Sequence, residues 1–202
     1  MPRTAARGGP QTRARISQVA TQLFLERGFD EVTVAEVARE AGVSSVTVFK
    51  HFPRKEDLLL DRADDAMDVL RTAVRDGGDV LASLHQATLR LADQRHALSG
   101  LREGSVPFFA TVAASPALIA RAREIADELR QTLAEELAGV GSGSKGGGDA
   151  ELLAAFFVAG YTTVLTETAR RQLAGDAADE VADDHRARVD RLLDRLRSGF
   201  AG

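Results

Sequence analysis

Cysteine is absent from the 202 residues, which excludes a disulfide scaffold, a thiolate metal site and a cysteine nucleophile together. Histidine is sparse: the four residues are scattered and no HExxH occurs, so neither a metal nor a cofactor is expected. Asp183-Asp184-His185 is read as part of an acidic, solvated helix face. Nothing resembles a nucleophile elbow, and no catalytic residue is assigned; the chain is not expected to be an enzyme. Gly141-Ser142-Gly143-Ser144-Lys145-Gly146 formally fits GxGxxG but lacks the preceding strand that a phosphate-cradling turn needs, and the Walker pattern fails at Ser144. Long apolar runs are missing too. Leu152–Leu165 reads as too short for a bilayer and contains Thr162 and Thr163, so no membrane span is expected. Met1–Pro10 is basic without an apolar core, unlike a secretory signal, and a cytoplasmic protein is expected.

What is present is ordinary globular material, 44% apolar and 28% charged. That is enough for one large domain or two small ones. The net charge of −4 hides an asymmetry. Residues 1–55 hold nine basic and five acidic residues, the other 147 hold 17 and 25. A basic head on an acidic body places any polyanion contact at the N-terminal end.

The apolar period is helical throughout, with no sustained strand alternation, and predicts an all-α chain of about nine helices. A first helix is expected over Thr12–Arg27, with Ile16, Val19, Ala20, Leu23 and Phe24 inward and Gly28 closing it. Thr33-Val34-Ala35-Glu36 fits a capping box, and the helix it starts stops at Gly42. Ser44 caps a third helix to His51, which Pro53 ends. One long helix is expected over 54–76, others over 79–98, 116–138, 149–173 and 178–198, with a glycine-serine loop at 139–148.

The second and third helices, joined at Gly42, have helix-turn-helix spacing. Val37, Ala38, Val43, Val48 and Phe52 supply the apolar spine. Ser45, Thr47, Phe49, Lys50 and His51 supply an outward face of short, polar or flat groups. A purely structural helical hairpin has the same spine, so spacing alone leaves both readings open.

The literal strings go further. Thr12-Arg13-Ala14-Arg15-Ile16, Leu23-Phe24-Leu25-Glu26-Arg27-Gly28-Phe29, Thr33-Val34, Ala41-Gly42-Val43-Ser44 and Thr47–Leu58 closely resemble the N-terminal domain of TetR-family transcriptional regulators. The resemblance covers residues 12–58; the remainder is similar only in being helical and of suitable length. It implies a DNA-binding domain over 1–55, with 1–10 a basic arm carrying Arg3 and Arg7, and a ligand-binding and dimerisation domain over 56–202. It implies that Thr33, Ser44, Ser45, Val46, Thr47, Phe49, Lys50, His51 and Lys55 lie at the DNA surface. Val46 would meet a thymine methyl, and Lys55 would place a charge near a phosphate at the start of the long helix. Two positions depart from the family: Phe49 stands where tyrosine is usual, removing one hydroxyl, and Arg54 stands where serine is frequent.

One short recognition helix reads few base pairs, so a homodimer on a palindromic operator is expected. Candidates for its interface are the small-residue row Ala155, Ala159 and Thr163 and the stripe Val189, Leu192, Leu193 and Leu196. The family commonly binds a small molecule in its helical body; His85, Thr88, Phe108, Phe109, Val112, Phe157, Tyr161 and Leu165 are the candidate lining, suited to a largely apolar ligand. A repressor released from its operator by that ligand is the first expectation. A ligand-independent or ligand-activated regulator, or, in a different class, a helical adaptor or enzyme that never meets DNA, is the alternative.

Overall fold

The computed structural model describes residues 8–76, 78–140 and 147–200. Arg3 and Arg7 of the basic arm and the GxGxxG-like stretch 141–146 lie outside the described residues. Among those described, the fold is all-α with no strand: α1 Gly8–Arg27, α2 Val34–Glu40, α3 Ser45–His51, α4 Ala63–Arg75, α5 Val80–Asp93, α6 Ser105–Ala114, α7 Pro116–Val140, α8 Gly147–Leu173 and α9 Ala178–Phe200.

Two compact units divide the chain. The first holds the described residues to Asp61 together with Ala110–Ala122; the second holds Arg62–Phe109 and the residues from Arg123. The resemblance places a boundary near 55, whereas the first unit also takes in the end of α6 and the start of α7.

The core of the first unit is the spine read from the sequence. Ile16, Ala20 and Phe24 of α1, Val37 of α2 and Val48 of α3 are shut off from solvent, joined by Phe29, Val32, Phe52, Leu58 and Leu118. Gly28 ends α1 at φ 91, a left-handed geometry that L side chains rarely adopt. Val43 is only half-buried. α1 begins four residues earlier than expected, because Pro10 falls in its first turn, where no backbone N–H is needed.

The expected long helix over 54–76 is broken. Glu56–Leu58 is a single 3-10 turn, and α4 starts only at Ala63. The carboxylates of this connection are tied sideways instead: Asp57 accepts from Arg121 Nε at 2.8 Å, and Asp61 accepts from the Ser17 hydroxyl. The helix expected over 79–98 also stops early. Arg95 adopts φ 46, and the N–H of His96 donates to the Leu91 carbonyl at 2.9 Å, closing the end in a Schellman arrangement. α6 was not expected: Gly104 and Pro107 read as an interruption, but Pro107 sits in the first turn of a helix, where it is tolerated. α8 starts at Gly147, so Asp149 lies inside its first turn and is not its cap.

In the second unit α5, α8 and α9 pack around Leu84, Leu133, Ala154, Phe157, Val189 and Leu193. Gly160 lets α9 approach α8 closely, since a β-carbon there would lie 2.3 Å from a methyl of Leu192. Gly100, at φ 72, packs against the Phe109 ring with no room for a side chain.

One expectation about α8 is corrected. From Asp149 to Leu173 it is long and apolar enough, by length and composition, to cross a membrane. The hydroxyls of Thr163 and Thr166 donate back to carbonyls of their own helix, so they do not interrupt its apolar surface. Its length is used by packing along α9, through Gly160 and Leu192, Thr168 and His185, and Glu167 and Arg188.

Candidate nucleic-acid interface

The bracing of α3 begins at two caps. Thr33 accepts from the Glu36 N–H at 3.2 Å, and the Glu36 carboxylate accepts from the Thr33 N–H at 2.8 Å, completing the capping box of α2. Arg27 donates to the same carboxylate at 3.0 Å, fastening α1 to α2. At the next helix the Thr47 N–H donates to Ser44 Oγ at 3.1 Å, and the two hydroxyls lie 2.9 Å apart. Thr47 is thereby held in one orientation before anything binds.

These bonds set the electrostatics of Glu36. The backbone and side chain of Thr33, and then Arg27, hold its carboxyl at about 2, well below the usual carboxylate range. A depressed carboxylate contributes its stabilisation above its unfolded value near 4.5 and loses it as pH falls toward about 2. The amide resonances of Thr33 and Glu36 in an NMR titration are expected to hold their positions at pH 4.5 and to move together only near pH 2.

With Val48 buried and Phe52 beneath it, α3 turns Val46, Phe49 and Lys50 outward at helical spacing. Val46 is 80% exposed and Phe49 50%, two large apolar side chains on a helix of seven residues. Ser44 is exposed, and Ser45, Thr47 and His51 are half-buried beside this face. Neither apolar side chain is needed for the core. A helix that keeps them in solvent presents a surface suited to thymine methyls and sugar edges.

Two residues assigned to the DNA surface have work inside the fold. Lys55 Nζ donates to the Phe29 carbonyl at 2.6 Å and sits 4.2 Å above the Phe29 ring. It caps no α-helix, because the long helix expected to begin beside it does not. Thr33 is exposed, but its hydroxyl proton points to Glu36 at 2.9 Å, next to a carboxylate that would repel a phosphate. Arg13, which the sequence reading did not single out, lies 4.6 Å over the Phe52 ring and supports the end of α3 from below.

The other candidate residues separate by unit. Val112 lies in the first unit; His85, Thr88, Phe108, Phe109, Phe157, Tyr161 and Leu165 lie in the second. His85 Nε2 is 2.6 Å from Asp190 on α9, and the Thr88 hydroxyl donates back to the Leu84 carbonyl. Phe157 and Tyr161 stack, with centroids 6.1 Å apart. Of the interface stripe, Val189 and Leu193 are 0% exposed and pack within the chain, while Leu196 is 7% exposed. Leu192 and Ala155 are half-buried, and Ala159 and Thr163 are exposed. The open apolar surface runs instead along Leu152 and Phe156 of α8, where a groove is completed by Leu192, Arg195 and Leu196. His185, read as solvated, is fully buried. Its spacing of four from Val181 and Val189 was the available signal. Among the described residues no group of three His, Asp or Glu is placed to hold a metal ion.

Fold and exposed face together define a helix-turn-helix domain followed by an all-helical body. Residues 16–61 match the family model described as bacterial regulatory proteins, tetR family. Over that segment the chain is similar to the tetR family. Rv2250c of Mycobacterium tuberculosis, named as an HTH-type transcriptional regulator, is 37% identical over 76 residues, which are 37% of this chain and 40% of that protein. HbdR of Aromatoleum, also an HTH-type transcriptional regulator, is 34% identical over 58 residues, 29% of this chain and 25% of that protein. The match therefore spans 40% or less of the length of these curated relatives. Solved structures extend the likeness in fold. Thermus thermophilus FadR, a TetR-family transcriptional repressor in complex with lauroyl-CoA, is 26% identical with TM-score 0.58, over 93% of this chain and 94% of that one. NalD, the secondary repressor of the MexAB-OprM multidrug efflux pump in Pseudomonas aeruginosa, is alike in fold, with TM-score 0.60 at 20% identity over 92% of this chain and 96% of that one.

Proposed function

We propose that the chain is a cytoplasmic transcriptional regulator that binds an inverted repeat in duplex DNA as a homodimer and is released by a small, largely apolar ligand. The observation that carries this reading is the α3 face: Val46, Phe49 and Lys50 project into solvent from a helix whose other side is locked into the core. Ser44, Ser45, Val46 and Thr47 approach base edges, and Phe49, Lys50 and His51 lie along the sugar-phosphate backbone. Thr33 and Lys55 act mainly by fixing the frame. Two copies are needed because a helix this short reads only a few base pairs.

Ligand acts by choosing between two separations of the recognition helices. A preference of about 3 kcal/mol for the wide-spaced state weakens operator binding about 100-fold. The repressor role and the acyl-CoA or efflux context belong to FadR and NalD as named; here they support only the general scheme of an apolar effector acting on a repressor.

Fluorescence anisotropy with the DNA upstream of the protein's own coding sequence tests the DNA reading. Specific binding that weakens steeply with salt is expected. Thr47→Ala is expected to cost about 1–3 kcal/mol on that DNA and little on random duplex. Equal losses on both would remove Thr47 from base reading, and no binding at all would overturn the function.

A further inference from the structure

Two buried polar atoms of the helical body lack a hydrogen-bond partner: the hydroxyl oxygen of Tyr161 on α8 and Nε2 of His185 on α9. They belong to neighbouring rings, which meet edge to face with centroids 6.2 Å apart at 85°. The other nitrogen of His185, Nδ1, is 2.8 Å from Thr168 Oγ1. The single proton of that hydroxyl goes to the Val164 carbonyl at 3.0 Å. In the tautomer whose Thr168 proton stays on the Val164 carbonyl, Nδ1 donates to Thr168 and Nε2 is a bare acceptor. Burial lowers the imidazole to about 4, with Arg186 acting in the same direction and Asp184 against it, so the ring is neutral at physiological pH. Burial also pushes the Tyr161 phenol upward, keeping its proton in place.

A folded interior rarely leaves a buried donor and a buried acceptor unpaired, because each has given up water for nothing. We propose that Tyr161 and His185 form the polar end of a ligand site for a neutral, mainly apolar molecule carrying a hydroxyl group. The ligand's O–H donates to His185 Nε2, and its oxygen accepts from the Tyr161 hydroxyl. A carboxylate is rejected, because it brings no proton for Nε2 and meets the same burial that keeps the imidazole uncharged. The stacked Phe157 ring and the partly buried Leu89 and Leu192 supply apolar surroundings in the same core. This site rests on the reading of the body as ligand-binding and gives that ligand its chemical class.

The test exploits a feature of composition: Tyr161 is the only tyrosine and there is no tryptophan, so intrinsic emission reports this site alone. The full chain is titrated with cyclohexylmethanol, its methyl ether and cyclohexanecarboxylate, none of which absorbs with tyrosine. Calorimetry gives affinities, and the nitrogen chemical shift of His185 reports hydrogen bonding at Nε2. The alcohol is expected to bind about tenfold or more tighter than the ether or the carboxylate, to change Tyr161 emission and to move only the Nε2 shift. Tyr161→Phe is expected to weaken alcohol and ether alike, since it removes the donor to either oxygen, and to leave the alcohol's preference over the ether in place, without lowering the melting temperature. Equal binding of alcohol and ether, or no binding of the alcohol, overturns the site. So does a Tyr161→Phe chain that melts lower with probe affinities unchanged, which would mark a buried water as the missing partner. Anisotropy on DNA, run in parallel, separates the two claims. Alcohol bound at His185 with DNA affinity unchanged leaves the site standing and refutes release by ligand, whereas DNA binding without alcohol binding refutes the site alone.

Discussion

A Phe156→Arg chain is expected to be monomeric at micromolar concentration and to bind operator DNA about 100-fold to 10,000-fold more weakly, the range by which linked sites exceed single ones. Phe156 is 55% exposed on α8 and Leu152 50%, beside a groove formed with Leu192, Arg195 and Leu196. In a two-fold interface any residue near the axis is present twice, so one substitution buries two guanidinium groups without partners, a cost of several kcal/mol. Because the side chain already faces solvent within one chain, the fold itself is expected to tolerate the change, with helical circular dichroism unaltered. Sedimentation velocity gives the mass and anisotropy the affinity. A variant that remains dimeric would move the interface elsewhere, and a wild-type chain that is monomeric would remove the dimer from the mechanism.

Phe24→Ala is expected to destabilise the first unit by about 3–5 kcal/mol, the range for emptying a fully buried aromatic position. Phe24 is 0% exposed, packs 5.0 Å from the Phe29 ring and lies under the Lys55 ammonium. Folded domains carry only about 0.05–0.15 kcal/mol per residue, so for a unit of this size the loss is comparable to the whole. Amide hydrogen exchange should show α1–α3 losing protection and operator binding disappearing with it. Full protection in α2 and α3 would mean that the core at Phe24 does not hold the recognition helix in place.

The helix-turn-helix within the first unit was legible from sequence, because its signals are local. A capping box at Thr33–Glu36, a serine cap at Ser44 and a glycine after Arg27 each act over three or four residues, and each is found where expected. The failures share a different origin. The helix expected over 54–76 is interrupted because Asp57 and Asp61 are claimed by Arg121, Ser17 and Arg13, residues 44 to 64 positions away that no local pattern reveals. Pro107 looks like a breaker in isolation, but within the first turn of α6 it is harmless. In α9 the apolar stripe was real but its direction was not decidable from period alone: Val189 and Leu193 face their own core, and the open surface belongs to Leu152 and Phe156. The same ambiguity hid His185, which is buried between acidic neighbours, Asp183 exposed and Asp184 half-buried.

The most direct measurement is selection from a random duplex library by the full chain, repeated with Val46→Ala and Thr47→Ala. Wild type is expected to enrich one inverted repeat, and each variant to relax the same few positions in both half-sites while leaving the spacing between them unchanged. A library that emerges without any common sequence, or half-sites indifferent to both substitutions, would contradict the assignment of α3 as the reading element.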